Sequence, residues 1–192
     1  MRSALACFVT VVVVVLSGLA GLSGLSARAA WWEDATPQTL GATAEWSNKV
    51  EIADLNGDGR PDILFANGGA YASAGEPEVN RVFLNGGPGL PFDEVTEAVF
   101  GDGGDFARVI RARDLSGDGV VDLVVGTTWQ TQTRLFLGTG GGGFEEVTQT
   151  HLPQQALSCG DIAVGDVDGD GDLDLLLTDW GAGNPSSNGG GR

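Results

Sequence analysis

The chain has 192 residues, and 32 of them are Gly, a composition that favours a turn-rich protein over one built from long helices. Acidic residues outnumber basic ones by 26 to 10, for a formal net charge of -16. That balance excludes nucleic acid and anionic membrane surfaces as expected partners, because both are bound through cationic patches. A hydrophobic content of 42% is high enough for a folded core.

The first segment, residues 1–29, has the features of a secretory signal peptide. It contains no acid, and an apolar stretch between Arg2 and Arg28 ends near Ala27-Arg28-Ala29, which suits signal peptidase. The alternative is an uncleaved anchor, since residues 3–25 carry no charge and could span a bilayer, although Gly and Ser dilute them. The sequence therefore predicts a secreted, periplasmic or cell-surface protein, with no membrane insertion after cleavage.

Two unrelated motifs recur along the rest of the chain with the same spacing. The first motif is rich in aspartate and lies at residues 54–62, 114–122 and 166–174. The second runs from an aromatic residue through acids to Thr and lies at residues 32–36, 92–96 and 144–148. Both motifs are offset by 60 and then 52 residues, so the unit is a structural repeat of this length.

Each repeat predicts four short antiparallel strands. The first alternates apolar and polar residues, as around Val50 and Ile52, and the second is a continuous apolar run such as 63–66, typical of a strand buried on both faces. A third run follows at 81–84, and the aromatic-acidic-Thr motif predicts a fourth strand at a water-facing edge. Four antiparallel strands repeated at this period are typical of a β-propeller blade.

We therefore expect an all-β fold, a β-propeller segment over residues 30–183 that is incomplete. Its blades are predicted at about 41–96, 97–148 and, for a partial third blade, 149–183. Residues 32–36 form a leading outer strand of the kind that closes a propeller ring, and residues 184–192 are a flexible Gly/Ser tail or a truncation point. Three blades leave open edges, so we expect a fragment or a chain that assembles with other copies.

The aspartate motif has the pattern of a metal-binding loop. It places side-chain oxygens at positions 1, 3, 5 and 9 and Gly at position 6, and the position-7 carbonyl is expected to point inward. Carboxylates crowded into a short loop repel one another unless a cation neutralises them, and this number of hard oxygen ligands suits Ca²⁺. No His or Cys lies in any of the three loops, which makes zinc and copper poor candidates.

Two other interpretations of these loops were weighed. An EF-hand needs an acid at position 12, where this chain has Phe65, Val125 and Leu177, so that interpretation is rejected. A metal-free hairpin rich in Asp and Gly remains the alternative. The predicted ligands, with the position-7 carbonyls included, are Asp54, Asn56, Asp58, Arg60, Asp62; Asp114, Ser116, Asp118, Val120, Asp122; and Asp166, Asp168, Asp170, Asp172, Asp174.

These paired motifs resemble the VCBS / FG-GAP repeats, the calcium-binding propeller blades also found in integrin α-subunit heads. The similarity covers roughly residues 32–180 and rests on the aspartate loops together with the runs at 82–92 and 135–144. It implies about three Ca²⁺ ions, one in the hairpin between strands one and two of each blade. Ser116 departs from the usual Asp or Asn and should weaken the middle site, whereas four carboxylates should make the third site the tightest.

The sequence offers no catalytic group. His151 is the only His and lies in a link between blades, and Cys159, the only thiol left after cleavage, is expected to be a small buried residue that forms no internal disulfide.

A binding role for an extracellular protein or carbohydrate is predicted instead, on loops after the second strands, at Tyr71, Trp129, Asp179 and Trp180. Packing of the Trp residues between blades is the open alternative. The alternative function is the propeller portion of an exported polysaccharide-acting enzyme with catalytic residues elsewhere.

Overall fold

The computed structural model describes residues 35–41, 44–69, 73–88 and 91–181. The predicted signal peptide, the tail at 184–192, Tyr71 and most of the leading strand at 32–36 lie outside the described residues. Within them the protein is mainly β, and its short helices each have four or five residues: α1 (Thr36–Thr39), α2 (Thr96–Phe100) and α3 (Thr148–His151).

The first repeat forms a four-stranded antiparallel sheet in sequence order. Its strands are β1 (Ser47–Ala53), β2 (Asp62–Asn67), β3 (Arg81–Asn85) and β4 (Phe92–Glu94). The central strand β2 is almost wholly buried, as its unbroken apolar run predicts. In β1, half-buried and exposed residues alternate instead. The Ile52 side chain, on the face turned away from the second sheet, is 63% exposed.

The second repeat forms an equivalent sheet and the third a smaller one. The remaining strands are β5 (Ala107–Arg113), β6 (Asp122–Thr127), β7 (Thr131–Gln132), β8 (Arg134–Gly140), β9 (Gly143–Glu146), β10 (Ala156–Leu157), β11 (Cys159–Gly165) and β12 (Asp174–Asp179). The order β5-β6-β8-β9 repeats that of the first sheet, β11 pairs with β12, and the short β7 and β10 pair with each other. The predicted all-β fold of an incomplete propeller is confirmed.

The core lies between the sheets, in two clusters. One lies between the first and second sheets and includes Leu64, Val82, Ile110, Leu123 and Phe136. The other joins the second and third sheets, and there the predicted burial of Cys159 agrees with its 0% exposure. A Cβ added to Gly126 would lie 2.6 Å from the Cys159 sulfur, so the thiol fills the space that this glycine leaves. Stacked sheets that share apolar faces are how propeller blades pack.

The predicted fourth strands were too long. The strands end at Glu94 and Glu146, and the Thr residues that follow each open a short helix instead. The hydroxyl oxygens of Thr96 and Thr148 accept hydrogen bonds from the third-strand amides of Val82 and Leu135, at 3.1 and 3.0 Å. The chain therefore turns across the end of the third strand at this Thr, because a side chain replaces the backbone ladder there.

An arginine at the start of the third strand links three elements of each complete sheet. Arg81 pairs with Glu45, which precedes β1, and with Glu94 in β4, at 2.6 and 2.8 Å. Arg134 pairs in the same way with Asp105, which precedes β5, and with Glu146 in β9, at 3.2 and 2.8 Å. Neither pattern was predicted. Both show that the repeat extends to its ion pairs, since residues 45 and 105 are one period apart.

Ion pairs also connect the first strands of neighbouring sheets. Glu51 in β1 accepts from Arg113 at 3.0 Å and lies 3.7 Å from Arg111, both in β5. Arg111 continues to Asp161 in β11, at 2.8 Å. This chain of alternating charges holds the inner strands of the three sheets side by side.

Among the described residues, no helix is long and apolar enough to cross a bilayer.

Candidate metal centres

The three aspartate loops connect the first and second strands of the three sheets, as predicted. They follow β1, β5 and β11 and share one backbone shape, with glycines at positive φ at positions 4 and 6. These glycines are Gly57, Gly59, Gly117, Gly119, Gly169 and Gly171. Position 6 was predicted; position 4 was missed, although all three loops carry Gly there. A left-handed conformation at both positions lets consecutive amides turn toward the first aspartate.

The position-1 aspartate organises each loop from inside. Asp54 accepts from the amides of Gly57 and Gly59 at 2.9 and 2.8 Å, using both carboxylate oxygens. Asp114 does the same with its two glycines at 2.8 and 2.9 Å, and Asp166 with its own at 2.6 and 3.1 Å. Each position-1 carboxylate therefore joins the two glycine amides of its own loop, one on each oxygen.

The position-9 aspartate differs between loops. In the first two it is fully buried, and its two oxygens face opposite ways. One oxygen of Asp62 accepts from Leu55 and the other from Asn85, which lies in β3, at 2.8 and 2.7 Å. Asp122 likewise reaches the amides of Leu115 and Gly138, at 2.8 Å each. This residue, predicted as a metal ligand, therefore also fastens the hairpin to the third strand.

In the third loop the position-9 residue stays close to its neighbours. Asp174 accepts from the Val167 amide at 2.9 Å, and no strand-three amide reaches it among the described residues. Carboxylate oxygens of Asp166, Asp168 and Asp174 all lie within 4.8 Å of one another. Of the predicted ligand sets, this is the one whose carboxylates the structure brings together. Three converging carboxylates, with no base in the loop, form a donor set that fits a hard cation such as Ca²⁺.

In the first loop a basic side chain of the loop itself, Arg60, supplies a positive charge. The Arg60 guanidinium lies 2.5 Å from Asp58, and its Nε donates to the Asn85 carbonyl at 2.7 Å. Desolvation opposes ionisation of Asp58, yet hydrogen bonds from the Arg60 amide and the Asn56 side chain, with the Arg60 charge, hold its pKa below the ordinary value. Burial raises the pKa of Asp62, and the negative charges of Asp58 and Asp54 add to that effect. The role of the Arg60 side chain was missed.

The predicted recognition residues that the structure describes, Trp129, Asp179 and Trp180, lie at the opposite end of the sheets. Trp129 is half-buried in the turn after β6, with φ at +59°. Trp180 follows β12, where the Arg108 guanidinium lies 5.1 Å from the centre of its ring. A Cβ on Gly160 would lie 2.6 Å from the Trp180 indole nitrogen, so this ring packs closely against β11 at the glycine. Asp179 accepts from the Ser158 and Gly181 amides at 3.0 and 2.9 Å.

The cleft between the first two sheets contains a further polar group that the sequence did not indicate. Asp105 accepts from Asn80 and Arg134 through one oxygen, at 3.0 and 3.2 Å, and its other oxygen is buried without a partner. Burial raises the pKa of Asp105, against the opposing charge of Arg134. The Arg134 hydrogen bonds lower the pKa of Glu146. His151, at the end of α3, is exposed, and its Nδ1 lies 2.8 Å from the Thr150 hydroxyl oxygen.

Fold and loops together define a propeller-type repeat with an aspartate-rich hairpin between its first two strands. The family model of the FG-GAP-like repeat matches residues 114–177, so the chain carries an FG-GAP-like repeat there. The resemblance to FG-GAP repeats drawn from the sequence is confirmed over these residues. They run from the second hairpin through most of β12 and so include two of the three aspartate loops.

A curated relative extends the comparison. Human phosphatidylinositol-glycan-specific phospholipase D is 29% identical to this chain over 161 residues, which cover 73% of this chain and 18% of the relative. The chain therefore spans less than a fifth of the length of this relative, and the alignment compares one part of a larger protein with this segment.

Proposed function

We propose that the protein is an exported, calcium-stabilised propeller segment that binds an extracellular protein or glycan. The observation that carries the calcium role is the third hairpin, where three carboxylate oxygens converge within 4.8 Å. Bringing these charges together is unfavourable without a counterion, so an ion that binds the folded hairpin stabilises the fold by mass action. The residues that would hold it are Asp166, Asp168, Asp174 and, through side chain or carbonyl, Asp170 and Asp172.

The first two hairpins support weaker sites of the same kind. Their position-1 and position-5 carboxylates are present, but Asp62 and Asp122 already accept backbone amides through both oxygens. In the first hairpin Arg60 neutralises Asp58 as well. The ion proposed for each of these hairpins would therefore add less stability than the ion in the third. Extracellular modules commonly work at affinities of roughly 10⁻⁴–10⁻³ M, because calcium is plentiful there.

The binding surface is proposed at the end of the sheets opposite the hairpins. Trp129 is the better candidate for ligand contact, since Trp180 is held against Gly160 and under Arg108. Tyr71 stays part of the proposed surface. The proposed location is secreted, periplasmic or cell-surface, and it depends on the signal peptide predicted for residues 1–29.

Urea unfolding of the full chain in millimolar Ca²⁺, millimolar Mg²⁺ and chelator tests the calcium role. We expect a higher midpoint in Ca²⁺ than in chelator and little effect of Mg²⁺, which demands stricter octahedral geometry. Asp168→Asn should remove most of the Ca²⁺ response. Asp102→Asn, the same change at an exposed acid outside the loops, is the control and should keep it. Equal midpoints in Ca²⁺ and chelator would refute the proposal.

A second candidate is that the segment is the propeller portion of a larger enzyme, for which we proposed a polysaccharide-acting parent. The similarity to a phospholipase D, aligned over 18% of that protein, favours an enzyme parent of some kind. A glycan array probed with the full chain separates the two functions. Saturable, Trp129-dependent binding supports a recognition module, whereas a silent array and a catalytic domain in a longer reading frame support the enzyme.

A further inference from the structure

At the end of the sheets opposite the aspartate hairpins, each of the first two repeats carries a carboxylate and a polar residue that ends the second strand. In the first repeat these are Glu45, which precedes β1, and Asn67, the last residue of β2. In the second they are Asp105, which precedes β5, and Thr127, the last residue of β6. Each residue is one repeat period from its counterpart, so the two pairs occupy the same place in successive sheets.

In the first sheet the Asn67 carboxamide completes a hydrogen-bond network. Its nitrogen donates to the Glu45 carboxylate and to the Val79 carbonyl, at 2.9 Å each. Its oxygen accepts from the Ser47 hydroxyl at 2.8 Å. The other oxygen of Glu45 accepts from Arg81 at 2.6 Å, so both oxygens of this carboxylate have partners. One amide group therefore satisfies a carboxylate oxygen, a backbone carbonyl and a hydroxyl.

In the second sheet the corresponding amide is missing. Thr127 is 1% exposed, and its hydroxyl lies one bond closer to the backbone than an asparagine amide would. Among the described residues, the Thr127 hydroxyl oxygen and Asp105 Oδ1 are buried and have no hydrogen-bond partner. Ala107 stands in the place of Ser47 and offers no hydroxyl. Buried polar atoms without partners are unfavourable, so these two atoms indicate that a further group completes the network.

Both residues line one cleft of about 480 Å³ between the first two sheets. Phe100 and Phe106 form an apolar wall of this cleft, and Gln132, the counterpart of Val79, lines it too. The volume is many times the roughly 30 Å³ that one water molecule occupies in the liquid. An apolar wall with a few polar atoms, at a volume of about 300–1,000 Å³, is typical of small-molecule sites.

We propose that this cleft binds the acetamido group of an N-acetylated sugar, which takes the place of the Asn67 carboxamide of the first sheet. The amide N–H of the sugar donates to Asp105 Oδ1, its carbonyl oxygen accepts from the Thr127 hydroxyl, and its methyl group contacts the phenylalanine wall. The acetamido group is the amide that glycans carry. This inference names a ligand class for the glycan recognition proposed above and rests on that function.

The test titrates the purified full chain in Ca²⁺ with N-acetylglucosamine and, as matched control, with glucose, in which a hydroxyl replaces the acetamido group. Saturation-transfer NMR measures binding and identifies the sugar protons in contact with the protein. We expect saturable binding of N-acetylglucosamine with strong transfer to its methyl group, and about tenfold or more weaker binding of glucose, because hydrogen bonds inside the cleft are lost. Equal binding of the two sugars overturns the proposal. No saturable binding to a folded chain overturns it as well, and means that water alone fills the cleft.

A substitution at Thr127 can supply the missing amide from the protein itself. Thr127→Asn should weaken N-acetylglucosamine binding about tenfold or more and raise the urea midpoint, because Asp105 Oδ1 gains a donor. Thr139→Asn, the same change at an exposed threonine of β8, should leave both quantities unchanged.

If Thr127→Asn does not fold, Thr127→Val decides the outcome. It removes only the unpartnered hydroxyl at nearly constant shape and should weaken N-acetylglucosamine binding about fivefold, since the sugar carbonyl loses its donor. Binding that this change leaves as strong as before contradicts the proposal.

A glycan array separates this inference from the recognition function on which it rests. Trp129-dependent binding that ignores acetamido groups would keep the recognition function and refute this inference. N-acetylglucosamine binding that Trp129→Ala leaves unchanged would keep this inference and remove Trp129 from the binding surface. A silent array together with no binding of N-acetylglucosamine refutes both.

Discussion

The first and third aspartate hairpins have the same pattern but balance their charges in different ways. In the first, Arg60 lies on Asp58, and Asp62 is buried with both oxygens on backbone amides. In the third, all of the loop's charged side chains are acidic, and three of these carboxylates converge. Groups of the polypeptide therefore balance the charges of the first hairpin, whereas a bound cation is proposed for the third. The same motif can thus position its carboxylates in two different ways.

The largest expected effect is the difference in stability loss between substitutions of Asp62 and Asp174, the position-9 residues of the first and third hairpins. Asp62→Ala should lower the free energy of unfolding by about 3 kcal/mol in chelator, because it leaves the Leu55 and Asn85 amides without an acceptor. Asp174→Ala should cost about 1 kcal/mol or less, since it removes one amide contact at a half-buried site. Urea denaturation measures both. Similar losses for the two variants would mean that the hairpins do not differ in this way.

Calcium should stabilise the third hairpin more than the first. At about 10 mM Ca²⁺ and an affinity of roughly 10⁻⁴–10⁻³ M, one site adds about 1–3 kcal/mol to the free energy of unfolding. Asp166→Asn should remove most of this gain, and Asp58→Asn only a small part, because Asp58 already has a cationic partner. The gain is measured as the difference between calcium and chelator, and a larger loss for Asp58→Asn would reverse the comparison.

Removing Arg60 should make the first hairpin behave more like the third. Arg60→Gln should cost about 1 kcal/mol or less in chelator, since the ion pair is partly exposed, and should increase the calcium-dependent gain. Arg113→Gln, which breaks an exposed ion pair outside the loops, is the control and should leave the calcium gain unchanged. A calcium gain that is the same in both variants argues against a neutralising role for Arg60.

The smallest effect lies in the titration of two aspartates of one loop. In chelator, carboxyl NMR should place the pKa of Asp62 above 3.8 and that of Asp58 below it. Stability contributed by Asp62 is therefore present at acid pH and lost as pH rises through its folded pKa. Stability contributed by Asp58 is present above 3.8 and lost as pH falls. The opposite order of the two titrations would show that Arg60 does not reach Asp58 in solution.

Much of the architecture could be predicted from the sequence because the same motifs occur three times with regular spacing. The hairpin positions, the buried second strands and the third strands at Arg81 and Arg134 follow from spacing and apolar runs. The pairing of β7 with β10 could not be predicted, since two-residue strands leave no periodic signal. The helix that begins at Thr148 was missed because its hydroxyl takes over a backbone role that a pattern does not show.

The candidate site was predicted less completely than the fold. Spacing identifies which residues carry oxygen, but not where each oxygen points. Asp122 and Asp174 occupy the same motif position, yet one reaches Gly138 in the third strand and the other meets Asp166 and Asp168. The difference comes from a strand outside the motif. The sequence did contain a sign of the Arg60 contact, because Arg60 is a basic residue inside an acidic loop. The metal-binding pattern assigned Arg60 only a backbone carbonyl ligand and no role for its side chain.

The buried thiol of Cys159 makes separation of the second and third sheets detectable by chemical modification. Burial raises the pKa of this thiol to about 11, so at pH 8 almost none of the reactive thiolate is present while the sheets stay together. Because the thiol packs against Gly126 at the junction of the second and third sheets, separation of those two sheets is enough to unmask it. The rate at which iodoacetamide modifies Cys159 in the native chain would therefore report how often that junction comes apart.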